Sequence, residues 1–406
     1  MLNSSVENLT LTVRDSLKDI APAQWNALTN NNPTLRYEWL HALHESGSAC
    51  AETGWLPQYL FVHDGDMLVG AMPMYMKGHS YGEYVFDWAW ADAYARTGRE
   101  YYPKLLSAVP FTPCTGARAM AATPEIEGLL IQAALQIATQ SKVSSLHVLF
   151  APDTQQTAFI AAGMLTRTAV QFHWRNAGYA NFDAFLTQFS KDKRKKIKQE
   201  RRKVADAGIT LRRVVGTQIT EADWDFFVQC YNRTYREHRS TPYLNREFFR
   251  MIARDMGDNC LLVIAEKSNA PRSPINGHLQ PPIRVACAFN LFNNEALYGR
   301  YWGCTEFNSG LHFETCYYQA LEFCIERGIQ LFEGGAQGEH KLARGFAPVK
   351  CNSAHWIADV QLRKAIAHFL TQEGASLDNY VDELAEHQPF NSTATQLHAL
   401  QLTAEN

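Results

Sequence analysis

No apolar run of about 18 residues, the length that crosses a membrane as a helix, occurs in this 406-residue chain. The longest candidate, Gly128 to Ala138, is interrupted by Gln132 and Gln136. Met1 to Thr12 has neither a basic start nor an apolar stretch, so no signal peptide is expected. Neither sign of charge dominates: 38 Lys+Arg against 41 Asp+Glu leaves −3, which excludes a nucleic-acid coat or a basic membrane clamp as the role of the whole chain. The nine cysteines (50, 114, 230, 260, 287, 304, 316, 324, 351) contain no CxxC pair. Their scatter fits reduced, buried thiols in a cytoplasm better than disulfides or a zinc cage. GxGxxG, Walker, HExxH and GxSxG signatures are lacking too. The fourteen histidines form no metal spacing with cysteine, and Cys351 and His355, four apart, have no group to orient them as a nucleophile pair. No metal or covalent mechanism is indicated.

What is present is 46% hydrophobic residues with 12% aromatics, enough for a large core and two or three domains. Helical and strand periodicities alternate from end to end, which reads as α/β. Strands are expected at Leu9–Arg14, Gln58–His63, Met67–Met76, Glu83–Trp90, Ser145–Phe150, Thr210–Val215, Leu261–Glu266, Arg284–Phe292, Glu295–Gly303, Gln330–Glu333 and Ser353–Asp359. Helices are expected over Ala23–Leu28, Leu35–Ser46, residues 125–140, Phe182–Asp206, Ala222–Glu237, Arg246–Met256, Phe313–Arg327 and the C-terminal segment. Lys267–Pro282, rich in proline, is a projecting loop. Residues 83–102 and 298–318 echo each other: each reads as an aromatic strand ending in Trp (Trp88, Trp302), a loop, then a Tyr-Tyr pair opening a helix. The expected organisation is two related α/β units, 8–170 and 209–362, joined by residues 171–208 with their basic helix and followed by a helical tail, 363–406.

The densest site-like segment is Leu331 to Phe346. A short apolar strand ends in Glu333, and four glycines then interleave with Glu339, His340, Lys341 and Arg344. Ionisable groups beyond the carboxyl end of a strand sit where open α/β sheets place ligands. A carboxylate or imidazole there can take a proton from an attacking amine, and the cations can hold phosphate or carboxylate; a tight, wet, glycine-rich turn is the plainer explanation. A second candidate is Tyr298–Glu314, a Gly/Asn/Ser loop entering a helix, whose polar members are Arg300, Asn308, His312 and Glu314. It reads as an anion site at a helix N-terminus or as a helix cap. Arg300-x-x-Gly303 resembles the pyrophosphate loop of acyl-CoA transferases, with Thr305 where the next glycine is expected. Asp87 and Trp88 occupy the corresponding place in the first half. Lys191–Lys203 carries nine basic residues in thirteen. Lys193, Arg194, Lys198 and Arg201 could bind the phosphates of a nucleotide or tRNA, or the run could be a solvated helix face. No aromatic interleaves it, so base stacking is not indicated.

Five segments carry a family resemblance: Gly82–Trp88, Lys191–Arg202, Leu297–Gly303, His312–Tyr318 and Phe332–Leu342. Together they resemble a bacterial family of Fem-like N-acyltransferases, usually labelled peptidoglycan biosynthesis or recognition proteins, over nearly the whole chain. The resemblance implies two tandem GNAT-like domains with mixed sheets. It implies transfer of an acyl or aminoacyl group to an amine, possible donors being acyl-CoA or aminoacyl-tRNA and a possible acceptor a muropeptide, with no bound cofactor. In that scheme Glu333, Glu339 or His340 accepts the proton, and backbone N–H groups of a splayed strand polarise the carbonyl. Arg300, Trp302, Asn308, His312, Glu314, Lys341, Arg344, Asp87 and Trp88 contact substrate. Against the better-known Fem peptidyltransferases, Glu333 stands for an aspartate, and Lys341 is five residues before Phe346 instead of three. The other class left open is a non-catalytic module that recognises a peptidoglycan fragment or polyanion in an inter-domain groove.

Overall fold

A computed structural model describes residues 9–268, 282–336, 338–386 and 389–391. Most of the loop expected at 267–282 lies outside the described residues. The chain divides into two compact units: residues up to Val170 with Lys350–Tyr380, and Gln171–Val349 with the residues from Val381 onward.

In the first unit, β1 (Leu9–Arg14), β2 (Leu56–Pro57), β3 (Tyr59–Asp64), β4 (Met67–Met72), β5 (Tyr75–Lys77), β6 (Lys104–Ser107), β7 (Met120–Ala121) and β8 (Ser145–Ala151) form two sheets. One runs β1-β3-β4-β7 and is antiparallel; in the other, β8-β6-β5-β2, the β6/β8 pair is parallel. The crossover between β6 and β8 contains the helix Pro124–Gln140. Pro124 fits its first turn, Thr123 accepts from the Ile126 N–H, and Ile126, Leu130, Ile131, Ala134 and Ala138 make one buried stripe.

β9 (Leu165–Arg175) leads into the second unit, whose sheet runs β10-β11-β12-β13-β14-β9. Its members are β10 (Ile209–Val215), β11 (Cys260–Lys267), β12 (Ile283–Phe292), β13 (Ala296–Cys304) and β14 (Leu331–Glu333). Here again one neighbouring pair is parallel, β13 with β14, and a helical segment, Leu311–Arg327, connects the two. The helix Glu221–Glu237 starts at a capping box in which Thr220 and Asp223 bond reciprocally. β15 (Ala347–Ile357) returns to pair antiparallel with β8 through Asn352–Ile357.

Several expectations need correction. Residues Glu83–Asp87 form a loop, and Trp88–Arg96 is a helix burying Trp90 and Tyr94 four residues apart. Tyr101-Tyr102 leads into β6 and opens no helix, so the two segments that echo in sequence are not equivalent in structure. What the units share is a parallel pair with a helix between its strands. The expected helix Phe182–Asp206 is two helices, Phe182–Leu186 and Lys191–Asp206. The basic helix belongs to the second unit, holding it through buried Ile197 and Val204. Lys350–Ile357, assigned from sequence to the second domain, belongs to the first unit because it extends the β8 sheet. The tail helix spans Val360–Glu386, and residues from 392 lie outside the described set.

Candidate active site

The second unit's site arises where its strands stop pairing evenly. β12 and β13 are in register up to Phe289 opposite Tyr301, then Asn290 faces Gly299, which leaves Arg300 as the extra, bulged residue. The parallel β13/β14 register ends at Tyr298 opposite Glu333. A cleft of about 130 Å³ sits at this point, lined in part by Asn290, Arg300, Trp302, His312, Tyr317 and Gly334. Glycine is required on its floor: a Cβ on Gly334 would lie 2.9 Å from both the Phe172 carbonyl oxygen and the Phe346 ring.

The helix after β13 contains a π turn, Glu314–Tyr318, a distortion that often accompanies function. Across from it, the 3₁₀ turn Glu339–Arg344 places His340 Nε2 3.0 Å from the Tyr317 hydroxyl. His312 packs against Trp302 and His340, ring centroids 5.1 and 5.9 Å away. Burial, followed by the nearby His340, Arg344 and Lys341 charges, pulls His312 down to about 4. His340 is lowered by burial and by the same two cations. Both imidazoles are therefore neutral at pH 7 and able to accept a proton. Cys316 also lines the cleft, but burial pushes its thiol up to about 12, so it is no nucleophile.

Of the residues singled out from sequence, Arg300, Trp302 and His312 line the cleft and His340 adjoins it. Lys341 is buried, donates to the Gly335 carbonyl at 3.1 Å, and is lowered by burial to about 8. Arg344 donates to the His340 carbonyl (2.6 Å) and to Glu200 (2.8 Å), so it braces the turn. Glu333 is buried between the Tyr298 and His173 backbones. The Glu339 side chain lies outside the described residues. Glu314 is buried and holds Arg201 at 3.0 Å, while Arg201 also reaches Glu322 at 2.6 Å. Glu314 is thus committed to an internal ion pair, whereas Arg201, half-buried, lines with Lys198 and Asn181 a separate cleft of about 410 Å³. Lys193 is exposed, Arg194 is half-buried and Lys198 pairs with Asp183 at 3.4 Å. Asn308 bonds Glu306 in a loop and does not line the cleft. Sequence reasoning missed Asn290 and Tyr317; the lone polar residue in the apolar run Val285–Phe292 was the available signal for the first.

Asp87 and Trp88 lie in the first unit. Asp87 belongs to a buried cluster that sequence reasoning did not anticipate. Lys104 Nζ donates to Asp87, to Glu83 Oε2 (2.7 Å) and to Ser80 (2.8 Å). The Tyr101 hydroxyl donates to Asp87 (2.6 Å) and lies 2.9 Å from His147 Nε2, and His147 Nδ1 is 2.7 Å from His355 Nδ1. Lys104 holds Asp87 well below the usual carboxylate range despite its burial. Desolvation pushes Glu83 up to about 7 and pulls His147 down to about 3. Trp88 is exposed.

Among the described residues no helix is long and apolar enough to cross a membrane, and no cluster of His, Cys, Asp or Glu could hold a metal. The fold is similar to that in the crystal structure of FemX (TM-score 0.54, 12% identity, covering 86% of this chain and 98% of that one). It is also similar to the C-terminal domain of a putative lysylphosphatidylglycerol synthetase from Agrobacterium fabrum (0.50, 10%, 87% and 96%). A conserved protein of unknown function from Bacteroides thetaiotaomicron is a third (0.51, 9%, 85% and 99%). At these identities the likeness is one of fold alone, a mixed α/β architecture with mixed sheets. No curated protein matches the chain. The family profile described as peptidoglycan biosynthesis/recognition matches residues 16–392, nearly the whole length, and the chain belongs to this FemAB-like family.

Proposed function

We propose that the second unit transfers an acyl or aminoacyl group to an amine in the cleft between β13 and β14. The observation that carries this reading is the end of parallel pairing between β13 and β14 beside two neutral imidazoles, His312 half-buried and His340 exposed. The amine nitrogen attacks the carbonyl carbon of an ester or thioester donor, forming the C–N bond. The C–O or C–S bond breaks, and the leaving group carries away the electron pair. His340, hydrogen-bonded to Tyr317, takes the proton released by the amine. Arg300, bulged into the cleft, faces an anionic part of donor or acceptor. The high thiol pKa at Cys316 supports direct attack without a covalent enzyme intermediate. The family's description supports a cell-wall precursor peptide as the acceptor class.

The test follows thiol release from acetyl-CoA and amino-acid transfer from aminoacyl-tRNA to a UDP-linked muropeptide. One donor should be consumed only when acceptor is present. His340→Gln should lower kcat by roughly 10²-fold or more without moving the melting temperature. A wild-type protein that stabilises on adding muropeptide yet consumes neither donor would be a binding module and would refute transfer.

A further inference from the structure

Residues Tyr81–Trp88 of the first unit reverse the usual sense of burial. Glu83, Val85 and Asp87 point inward, 4%, 6% and 3% exposed, while Tyr84, Phe86 and Trp88 point outward at 37%, 53% and 42%. Lys104 compensates the two buried acids, while three aromatic rings are left in water, an unfavourable choice for a loop without a ligand. Tyr81, at 61% exposed, meets Trp88 edge-on with ring centroids 5.3 Å apart, and Tyr84 and Phe86 are 6.5 Å apart. The loop is held from beneath. Lys104 ties Glu83 and Asp87 together, and Arg167, itself gripped by Glu373, donates to the Phe86 carbonyl at 2.7 Å. The rings are therefore pre-ordered, which reduces the entropy lost on binding.

We propose that Tyr81, Tyr84, Phe86 and Trp88 form a carbohydrate-binding platform for neutral pyranose rings. Charge selects this occupant. The only ionisable acids of the loop, Glu83 and Asp87, face inward and it contains no Lys or Arg, so the platform offers nothing to phosphates of nucleic acid or to anionic lipid headgroups. A sugar ring matches it: the C–H face lies on an aromatic face, and the hydroxyl rim meets the Tyr81 and Tyr84 hydroxyls and the Trp88 indole N–H. The platform lies in the other unit from the transfer cleft and does not depend on that reading; sugar binding and transfer can each fail with the other intact.

The experiment titrates the full chain with chitotetraose, an uncharged N-acetylglucosamine tetramer, by calorimetry and tryptophan emission. Saturable binding at about millimolar affinity or tighter is expected. Trp88→Ala and Phe86→Ala, both at exposed positions, should each weaken it about ten-fold with unchanged melting temperatures. No heat up to about 10 mM ligand, or full binding by Trp88→Ala, overturns the proposal. So does a Trp88-dependent response to phosphatidylcholine vesicles or to oligo-dT in place of the sugar.

Discussion

Replacing Lys104 by Met removes the cation shared by two buried carboxylates and leaves only Lys77, 3.9 Å from Glu83. Burial already raises Glu83 to about 7 in the wild type, so its protonation costs both proteins much the same. Asp87 decides the outcome. In the wild type Lys104 holds it well below its ordinary value, so the pairing stabilises at every pH above about 3.9 and is lost only under stronger acid. In the variant the carboxyl must be protonated or remain buried without its cation. Protonating a group of ordinary pKa near 3.9 at pH 7 costs about 1.36 kcal/mol for each of roughly 3 pH units, or about 4 kcal/mol. That agrees with the range of about 3–5 kcal/mol for breaking a buried pair. Tyr101 still donates to Asp87, which places the expected loss near the lower end, about 3 kcal/mol. The penalty grows with pH, so at pH 5 it should shrink to about 1.5 kcal/mol. Urea unfolding of both proteins at the two pH values, followed by tryptophan fluorescence, measures the difference. A deficit under about 1 kcal/mol at pH 7, or the same deficit at both pH values, would refute the electrostatic argument.

Two further outcomes are expected. Because His340 is lowered from its ordinary value, the acid limb of the transfer rate should fall below pH 6.5, and it should disappear from the residual rate of His340→Gln; a limb retained in the variant would move the base elsewhere. Gly303→Ala sets a Cβ 2.2 Å from the Cys230 carbonyl oxygen and 2.7 Å from Thr234 Oγ1, so melting should show a loss of about 2 kcal/mol, with wild-type stability as the contrary result.

Elements with strong, one-sided periodicity were legible from sequence. The helices Pro124–Gln140 and Glu221–Glu237 announce themselves by an apolar stripe and a capping residue, and β11 and β12 by unbroken buried runs. Glu83–Trp90 misled because alternation reveals a period and not which face is buried; here the acids face in. Arg300, Trp302, His312 and His340 could be picked out because glycine-rich connections beyond strand ends mark clefts. Glu314 could not be sorted from ligand-binding residues, since it is neutralised by Arg201 across 113 positions of sequence. The same distance effect hid the Lys104 cluster: Glu83, Lys104, His147 and His355 stand singly in their segments and meet only in the folded unit.

The return of residues 350–380 to the first unit has a consequence for biosynthesis. The ribosome completes every residue of 171–349 before it delivers β15, the antiparallel neighbour of β8, and with it His355, the last member of the buried histidine pair. The domain begun first is therefore completed only after residues 171–349 of the other have been made. Until then it carries β8 without this partner, in a state that chaperones and proteases can inspect. No single cut can release both halves whole, and a stop codon before Lys350 damages the domain encoded earliest.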